Sequence, residues 1–487
     1  MIPLSFVQQR LWFLDQLAGP QPTYNVPLTL RLSGDLEEAA LEAALGDVVA
    51  RHESLRTVFP EVGGEPYQHV LDSGDARPRL RVREVAPDNA EAVLRQEARH
   101  AFDISSEPPV RATIVRFGPG EHILLLLIHH IAIDDWSFTP LCRDLSEAYT
   151  ARRLGSPPRW EALPVQYADY AMWQREALGD RHDPDSELAA HVDYWRQELA
   201  GSPELLELPT DRVRPPAASG LGRSVSFGWD ERTQGALVAL AKATGTTVFM
   251  GVQAAVAALL SRLGSGDDIP VGAAFSGRTD EALDDLVGFF TNTLVLRTDT
   301  SGNPTFRELV LRVREKNLAA HAHQEMPFDL LVEVLRPARS LGHHSLFQVM
   351  LAYENAGSFD FDMPGLDVSV LQTDTEVVKF DLSLTFSEEQ VSPGGPDRMT
   401  GTLHYASDLF DRGTAESIAE RLERFVSAVA ADPDRPIEAV EVLSQEERHR
   451  LLVEWNDLQE HLDVLWASRR TNRLPCVGPL SHVPKRI

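Results

Sequence analysis

The stretch ILLLLIHHIAIDDWSF, residues 123–138, places two adjacent imidazoles at the end of an apolar run, with carboxylates four and five residues after the second. A run with no polar residue predicts a strand buried on both faces. The strand period of two sends His129 and His130 to opposite sides, so one can enter a core while the other enters a cavity. An imidazole titrates near neutrality and can take or give a proton during group transfer, or hold a substrate amine in place. Asp134, four residues after His130, can brace the turn or pair with a nearby cation.

Other chemistries find little footing. Neighbouring histidines on one strand diverge, His122 lies at the far end of that strand, and no Cys or third His stands at ligand spacing, so no metal is expected. His343-His344 is flanked by Gly and Ser and reads as loop. The sequence contains no P-loop, no GxGxxG and no GxSxG elbow, so no permanently bound cofactor is expected. Cys142 is expected to face a core on the helix after the motif, with no basic cluster to make it a thiolate.

The elements that must position these residues are partly legible. Ser5 with Gln8, Asp35 with Glu38, and Thr305 with Glu308 are spaced as capping boxes ahead of apolar stripes. Further helices are predicted from Thr247, with Gly264 as C-cap, and along Ile418, Leu422, Phe425 and Val429. Strands are predicted at 26–32, 123–130, 224–228, 269–274 and 293–297. Helices and strands mix without strict alternation, which gives an α+β (mixed α/β) fold in two layers. The segment 202–223 is rich in Pro, Gly and Arg without a clean period. It predicts an N-terminal lobe over 1–200, an interlobe linker over 201–223 and a C-terminal lobe over 224–457. The tail 458–487 carries neither helical nor strand period and is expected to be disordered.

Composition narrows the field of partners. The 487 residues carry 46 Lys and Arg against 73 Asp and Glu, a formal charge of −27. Such an acid excess argues against duplex nucleic acid, which needs clustered Lys and Arg. The purely apolar run 123–128 is far shorter than the about 20 residues of a membrane span, and the N-terminus does not read as a secretory signal. With two cysteines, a cytoplasmic, reducing location is expected.

HHIAIDDWS at 129–137 resembles the HHxxxDG motif of nonribosomal peptide synthetase condensation domains. Six further stretches resemble that family's motifs and occur in its order. They are LSFVQQRLWFLDQL (4–17), RHESLRTVF (51–59), YADYAMWQ (167–174), VGFFTNTLVLR (287–297), HQEMPFDLLVEVL (323–335) and SLFQVMLAYEN (345–355). The resemblance runs from residue 4 to EWND at 454–457, and the opening helix is closest to the subtype that joins two L-residues.

The resemblance implies two lobes similar to chloramphenicol acetyltransferase, set as a V with a tunnel at their junction. It implies amide formation between an acyl or peptidyl thioester on an upstream carrier protein and an aminoacyl group on a downstream one. Both substrates ride on phosphopantetheine arms that enter the tunnel, and an adenylation domain is a further expected partner of an otherwise monomeric chain. His130 is the implied catalytic residue, as base or as amine holder. His129, Asp134 and Arg278 are implied to be structural in the active site. Asp135, Trp136, Ser137 and Asn292 are expected along the substrate channel, and Trp12 and Trp173 in packing. The sibling activities, ester formation and epimerisation, and a non-catalytic platform recruiting carrier or tailoring proteins are the alternatives. One departure bears on them: Asp135 stands where the family motif has Gly. Gly admits backbone conformations that Asp tolerates less freely, and an added carboxylate would favour a protonated His130.

Overall fold

A computed structural model describes residues 1–338, 340–354, 361–371, 377–390, 397–449 and 452. Two sheets organise them. The first has five strands in the order Leu366–Leu371, Asn25–Gly34, Glu121–His129, Val110–Gly118 and Leu80–Glu84, antiparallel except for the last pair. The second has six, in the order Asn292–Asp299, Asp268–Phe275, Val349–Glu354, Leu382–Gln390, Asp397–Ala406 and Gly222–Trp229. Within it, Val349–Glu354 runs parallel to both neighbours.

Each sheet carries its own core. Strand Glu121–His129 is central in the first sheet and buried from His122 onward, which is why it lacks alternation. Helices Glu38–Arg51 and Phe138–Arg153 place Leu41, Leu45, Val48, Leu141, Leu145 and Tyr149 in the same core. Helices Glu231–Thr244, Val248–Leu260, Phe306–Ala322 and Arg412–Ala431 cover the second sheet. The stretch Val248–Ser265 is apolar and 18 residues long, but 67% of it is buried inside the fold, as expected of a core helix.

Helix Phe6–Ala18 starts at a Ser5–Gln8 capping box and Phe306–Ala322 at a Thr305–Glu308 box, as their spacing predicts. The Asp35–Glu38 box does not form. Helix Glu38–Arg51 has Glu37 at its N-cap with no side-chain cap, because Asp35 is drawn to Arg153 at 3.5 Å and Glu38 pairs with Arg116.

Packing also crosses the expected lobe boundaries. Helix Glu187–Glu198 buries Leu188, Val192 and Trp195 in the second core. Strand Leu366–Leu371 crosses back to pair with Asn25–Gly34 in the first sheet. The tail 458–487, EWND and Cys476 lie outside the described residues.

Candidate functional site

His129 ends the central strand of the first sheet, and His130 opens the short 3-10 turn His130–Ala132. His129 is buried. Its Nδ1 accepts the Ile131 N–H at 3.2 Å, and its ring meets Phe102 and Tyr24. Burial first, and then the neighbouring His130 and Lys379, push it down to about 3, so it is neutral at physiological pH.

His130 faces the other way and is half-buried, with its ring 4.4 Å from that of Phe289, three residues ahead of strand Asn292–Asp299. His130 Nδ1 lies 2.8 Å from the Ile133 carbonyl oxygen. A carbonyl only accepts, so Nδ1 carries the hydrogen and donates it. In the neutral ring the lone pair is then on Nε2, which has no hydrogen-bond partner among the described residues. Burial, followed by the Lys379 charge, pushes His130 down to about 3, so the ring is neutral at physiological pH.

Asp134 is fully buried, and both its carboxylate oxygens are in use. Oδ1 accepts from the Ser137 N–H at 3.0 Å, the Ser137 hydroxyl at 2.7 Å and Arg278 Nη2 at 3.3 Å. Oδ2 accepts from the Phe290 and Thr291 N–H groups at 2.9 and 3.1 Å and from the Thr291 hydroxyl at 3.2 Å. Arg278 also donates to Ser137 Oγ and the Leu283 carbonyl, and its guanidinium lies 4.2 Å over the Phe290 ring. The carboxylate thus ties the histidine turn to a strand entry in the other lobe.

Other segments converge on that entry. Ser54 Oγ donates to the Val287 carbonyl at 2.7 Å, and Ser137 Oγ lies 2.9 Å from the Gly288 carbonyl. The Tyr167 hydroxyl donates to the Phe289 carbonyl. Gly288 must be small, because a Cβ there would stand 2.2 Å from the Tyr167 ring. From the opening helix, Arg10 reaches Asp329 at 3.2 Å. Stretches scattered from residue 10 to 329 therefore meet at one junction.

Two expected channel residues have their polar groups engaged by the fold. Ser137 is fully buried, and its hydroxyl is spent on Asp134, Arg278 and Gly288. Asn292 donates to the Gln324 and Met326 carbonyls, both at 2.7 Å, and accepts the Phe328 N–H at 3.2 Å. Its amide thus closes a loop by satisfying buried backbone groups. Trp136 is half-buried. Trp12 packs and donates to the Phe59 carbonyl, whereas Trp173 is half exposed. Cys142 is buried and unpaired, with its thiol pushed up by burial.

Asp135 is reached by water, yet burial and the adjacent Asp134 push its carboxyl up to about 6. The backbone argument against Asp at this position does not hold. Asp135 opens the 3-10 turn Asp135–Ser137, and among the described non-glycine residues only Asn303 and Arg336 have positive φ. Phe289, Tyr24, Arg10 and Lys379 join the site without having been singled out from sequence. Phe289 and Arg10 lie inside quoted motifs, whereas nothing local to Tyr24 or Lys379 marks them.

Two mixed sheets, each with its own helical cover, and a strand-end histidine at their junction define a two-lobed protein of the chloramphenicol acetyltransferase-like fold. The chain belongs to the condensation domain family of nonribosomal peptide synthetases, whose model matches residues 1–452. It is 53% identical over 452 residues to a probable non-canonical nonribosomal peptide synthetase, CymA, of Salinispora arenicola, covering 93% of this chain and 6% of that protein. It is 49% identical to a dimodular nonribosomal peptide synthase of Bacillus subtilis, covering 95% of this chain and 19% of that one. The chain thus spans under a fifth of the length of these relatives. Among solved structures, the X-domain from teicoplanin biosynthesis matches with a TM-score of 0.84 at 36% identity, over 91% of this chain and 98% of that one. The first condensation domain of the calcium-dependent antibiotic synthetase shares the fold, with a TM-score of 0.74, over 91% of this chain and 98% of that one, at 21% identity.

Proposed function

We propose that this domain forms an amide bond between an acyl or peptidyl thioester on one carrier protein and the amine of an aminoacyl group on another. The observation that carries this reading is the His130 tautomer: Nδ1–H is committed to the Ile133 carbonyl, and Nε2 is left partnerless at the junction. The amine nitrogen attacks the thioester carbon and the C–N bond forms. His130 Nε2 takes the proton that the nitrogen loses, and the C–S bond breaks as that proton passes to the leaving thiolate. No metal and no enzyme-bound intermediate is needed. Positioning supplies much of the acceleration, and a general base adds about 10²–10⁴-fold. His129 serves the core, and the Asp134–Arg278 pair holds the turn.

In this reading the phosphopantetheine arms of the carriers bring both substrates into a tunnel between the lobes. The chain acts beside an adenylation domain, as a monomer in the cytoplasm, and joins L-residues. Lobes over 1–200 and 224–457, joined by the linker 201–223, remain the proposed division.

The test is to load two carrier proteins with a donor and an acceptor and to look for condensed product by mass spectrometry, in parent and His130→Ala. Product from the parent and loss in the variant support the reading. A parent inactive with every loaded pair sinks it. A second reading, a platform that recruits a tailoring protein, is favoured by one finding: the X-domain from teicoplanin biosynthesis, 36% identical to this chain, has been solved in complex with OxyB. An inactive parent that binds a tailoring protein of its own pathway would establish that reading instead.

A further inference from the structure

Residues 287–291, VGFFT, belong to no helix or strand. Side chains from distant stretches hold their backbone instead. His52 Nδ1 accepts the Val287 N–H at 3.4 Å, and the Ser54 hydroxyl donates to the Val287 carbonyl at 2.7 Å. Ser137 Oγ accepts the Gly288 N–H at 3.1 Å. The Tyr167 hydroxyl donates to the Phe289 carbonyl, and Asp134 accepts the next two N–H groups. His52 is itself fixed. With Nδ1 accepting, its Nε2 donates at 2.9 Å to the buried carboxylate of Asp144, which also holds Arg51 at 2.7 Å. Residues of RHESLRTVF (51–59) and YADYAMWQ (167–174), two motifs with no part in the chemistry itself, thus converge on one short segment.

That segment carries Phe289. Val287 is buried in the core of the first sheet and Phe289 packs against the same core, whereas Phe290 turns to Tyr167 and Tyr170. The Phe289 ring is half-buried and lies 4.4 Å from the His130 ring, at 49° to it. His130 is held at one edge by its hydrogen bond to the Ile133 carbonyl. The last torsion of a histidine side chain is broad, so one bond at an edge leaves the imidazole room to swing. An aromatic ring packed against it removes that room.

We propose that Phe289 is a positioning residue for the amide-forming step: its ring, held through the backbone by His52, Ser54 and Tyr167, keeps the His130 imidazole in the orientation that leaves Nε2 free at the junction. A misplacement of about 1 Å can cost about 10²-fold in rate, because the reacting atoms must meet in line. Phenylalanine suits the task, since its side chain is planar and has no donor or acceptor to compete for Nε2. It exchanges no proton and acts only through His130. The two motifs upstream then serve the reaction by holding the residue that orients the base.

This inference rests on His130 acting as the base, and its test separates the two. Histidine-labelled full chain is read by nitrogen NMR at neutral pH, with the His130 signals assigned by their loss in His130→Gln. The parent should show one tautomer, with the hydrogen on Nδ1. Phe289→Leu should show both tautomers. With loaded carriers its kcat should fall by up to about 10²-fold, while KM for each carrier stays put. Phe289→Tyr, which keeps a ring, should recover the single tautomer and most of the rate. An unmixed tautomer in Phe289→Leu, an undiminished kcat, or a loss confined to KM overturns the role of Phe289, even if His130→Ala is dead. Full activity in His130→Ala overturns the base instead, whatever the tautomer shows. Should Phe289→Leu not fold, Tyr167→Phe removes only the hydroxyl on the Phe289 carbonyl. It should mix the tautomers and lower kcat to a smaller degree, and parent values of both overturn the proposal.

Discussion

Asp134 and Phe290 lie 156 residues apart in the chain, yet the Asp134 carboxylate accepts the Phe290 backbone N–H at 2.9 Å. That bond joins the histidine turn of one lobe to the strand entry of the other, and it sits in a network that leaves neither carboxylate oxygen idle. The geometry of the histidine turn is thus a property of the junction more than of either sheet.

Replacing His130 by Ala should lower kcat by about 10²–10⁴-fold, the usual worth of a general base. Its thermal transition should stay close to the parent's, since the ring is only half-buried and its one hydrogen bond is local. Calorimetry beside the carrier assay checks both. A rate loss below roughly tenfold would reduce His130 to holding the amine.

Asp134→Ala should be costly to the fold. Arg278 is 6% exposed and would keep its charge without its carboxylate partner. Breaking a buried pair from one side costs about 3–5 kcal/mol. Urea unfolding should show the loss, and a double-mutant cycle with Arg278→Ala should show strong coupling. A normal unfolding midpoint with lost turnover would make Asp134 a group that touches substrate.

Asp135→Gly should not raise turnover. The turn already has ordinary backbone angles, so Gly brings no relief, and it adds freedom to the unfolded chain. Parent and variant rates with the same loaded carriers, from pH about 6 to 9, decide this. A parent silent throughout and revived by Gly would falsify the view that this chain is a working catalyst.

Gly288→Ala should destabilise the junction. The added methyl would stand 2.2 Å from the Tyr167 ring and 2.7 Å from the Phe290 ring. Overpacking of this kind costs about 1–3 kcal/mol. The melting temperature and the rate should fall together. An unchanged melting temperature would mean that the Tyr167 ring gives way freely.

Stability should fall as pH is lowered through the histidine range. His129, His130 and His344 are each pushed down to about 3, chiefly by burial, against an ordinary value near 6.5. Between those limits the unfolded chain binds protons that the folded one refuses, so stability rises with pH there. Their contribution is complete above about 6.5 and lost on descent towards 3. Urea midpoints at pH 7, 6, 5 and 4 should fall progressively. A flat series would contradict the neutral assignment of these rings.

The sequence by itself determined whatever is written in local spacing. The apolar run 123–128 specified a strand buried on both faces, and period two separated His129 from His130. Two of the three capping boxes formed, at Ser5 and Thr305, while Asp35 turns to Arg153. The order of seven motifs was enough to indicate the family to which the chain belongs.

Tertiary structure decided what those motifs do to one another. Ser137 and Asn292 have polar groups that suit a channel, but neighbouring backbone groups and Arg278 needed them first. Strand Leu366–Leu371 alternates as an edge strand of either sheet would, and only the free edge of Asn25–Gly34 settled its place. Lys379 has no motif around it, because a charge acts through space. Tyr24 is 355 positions away by their numbering, and only the fold sets the Lys379 ammonium 4.7 Å over its ring.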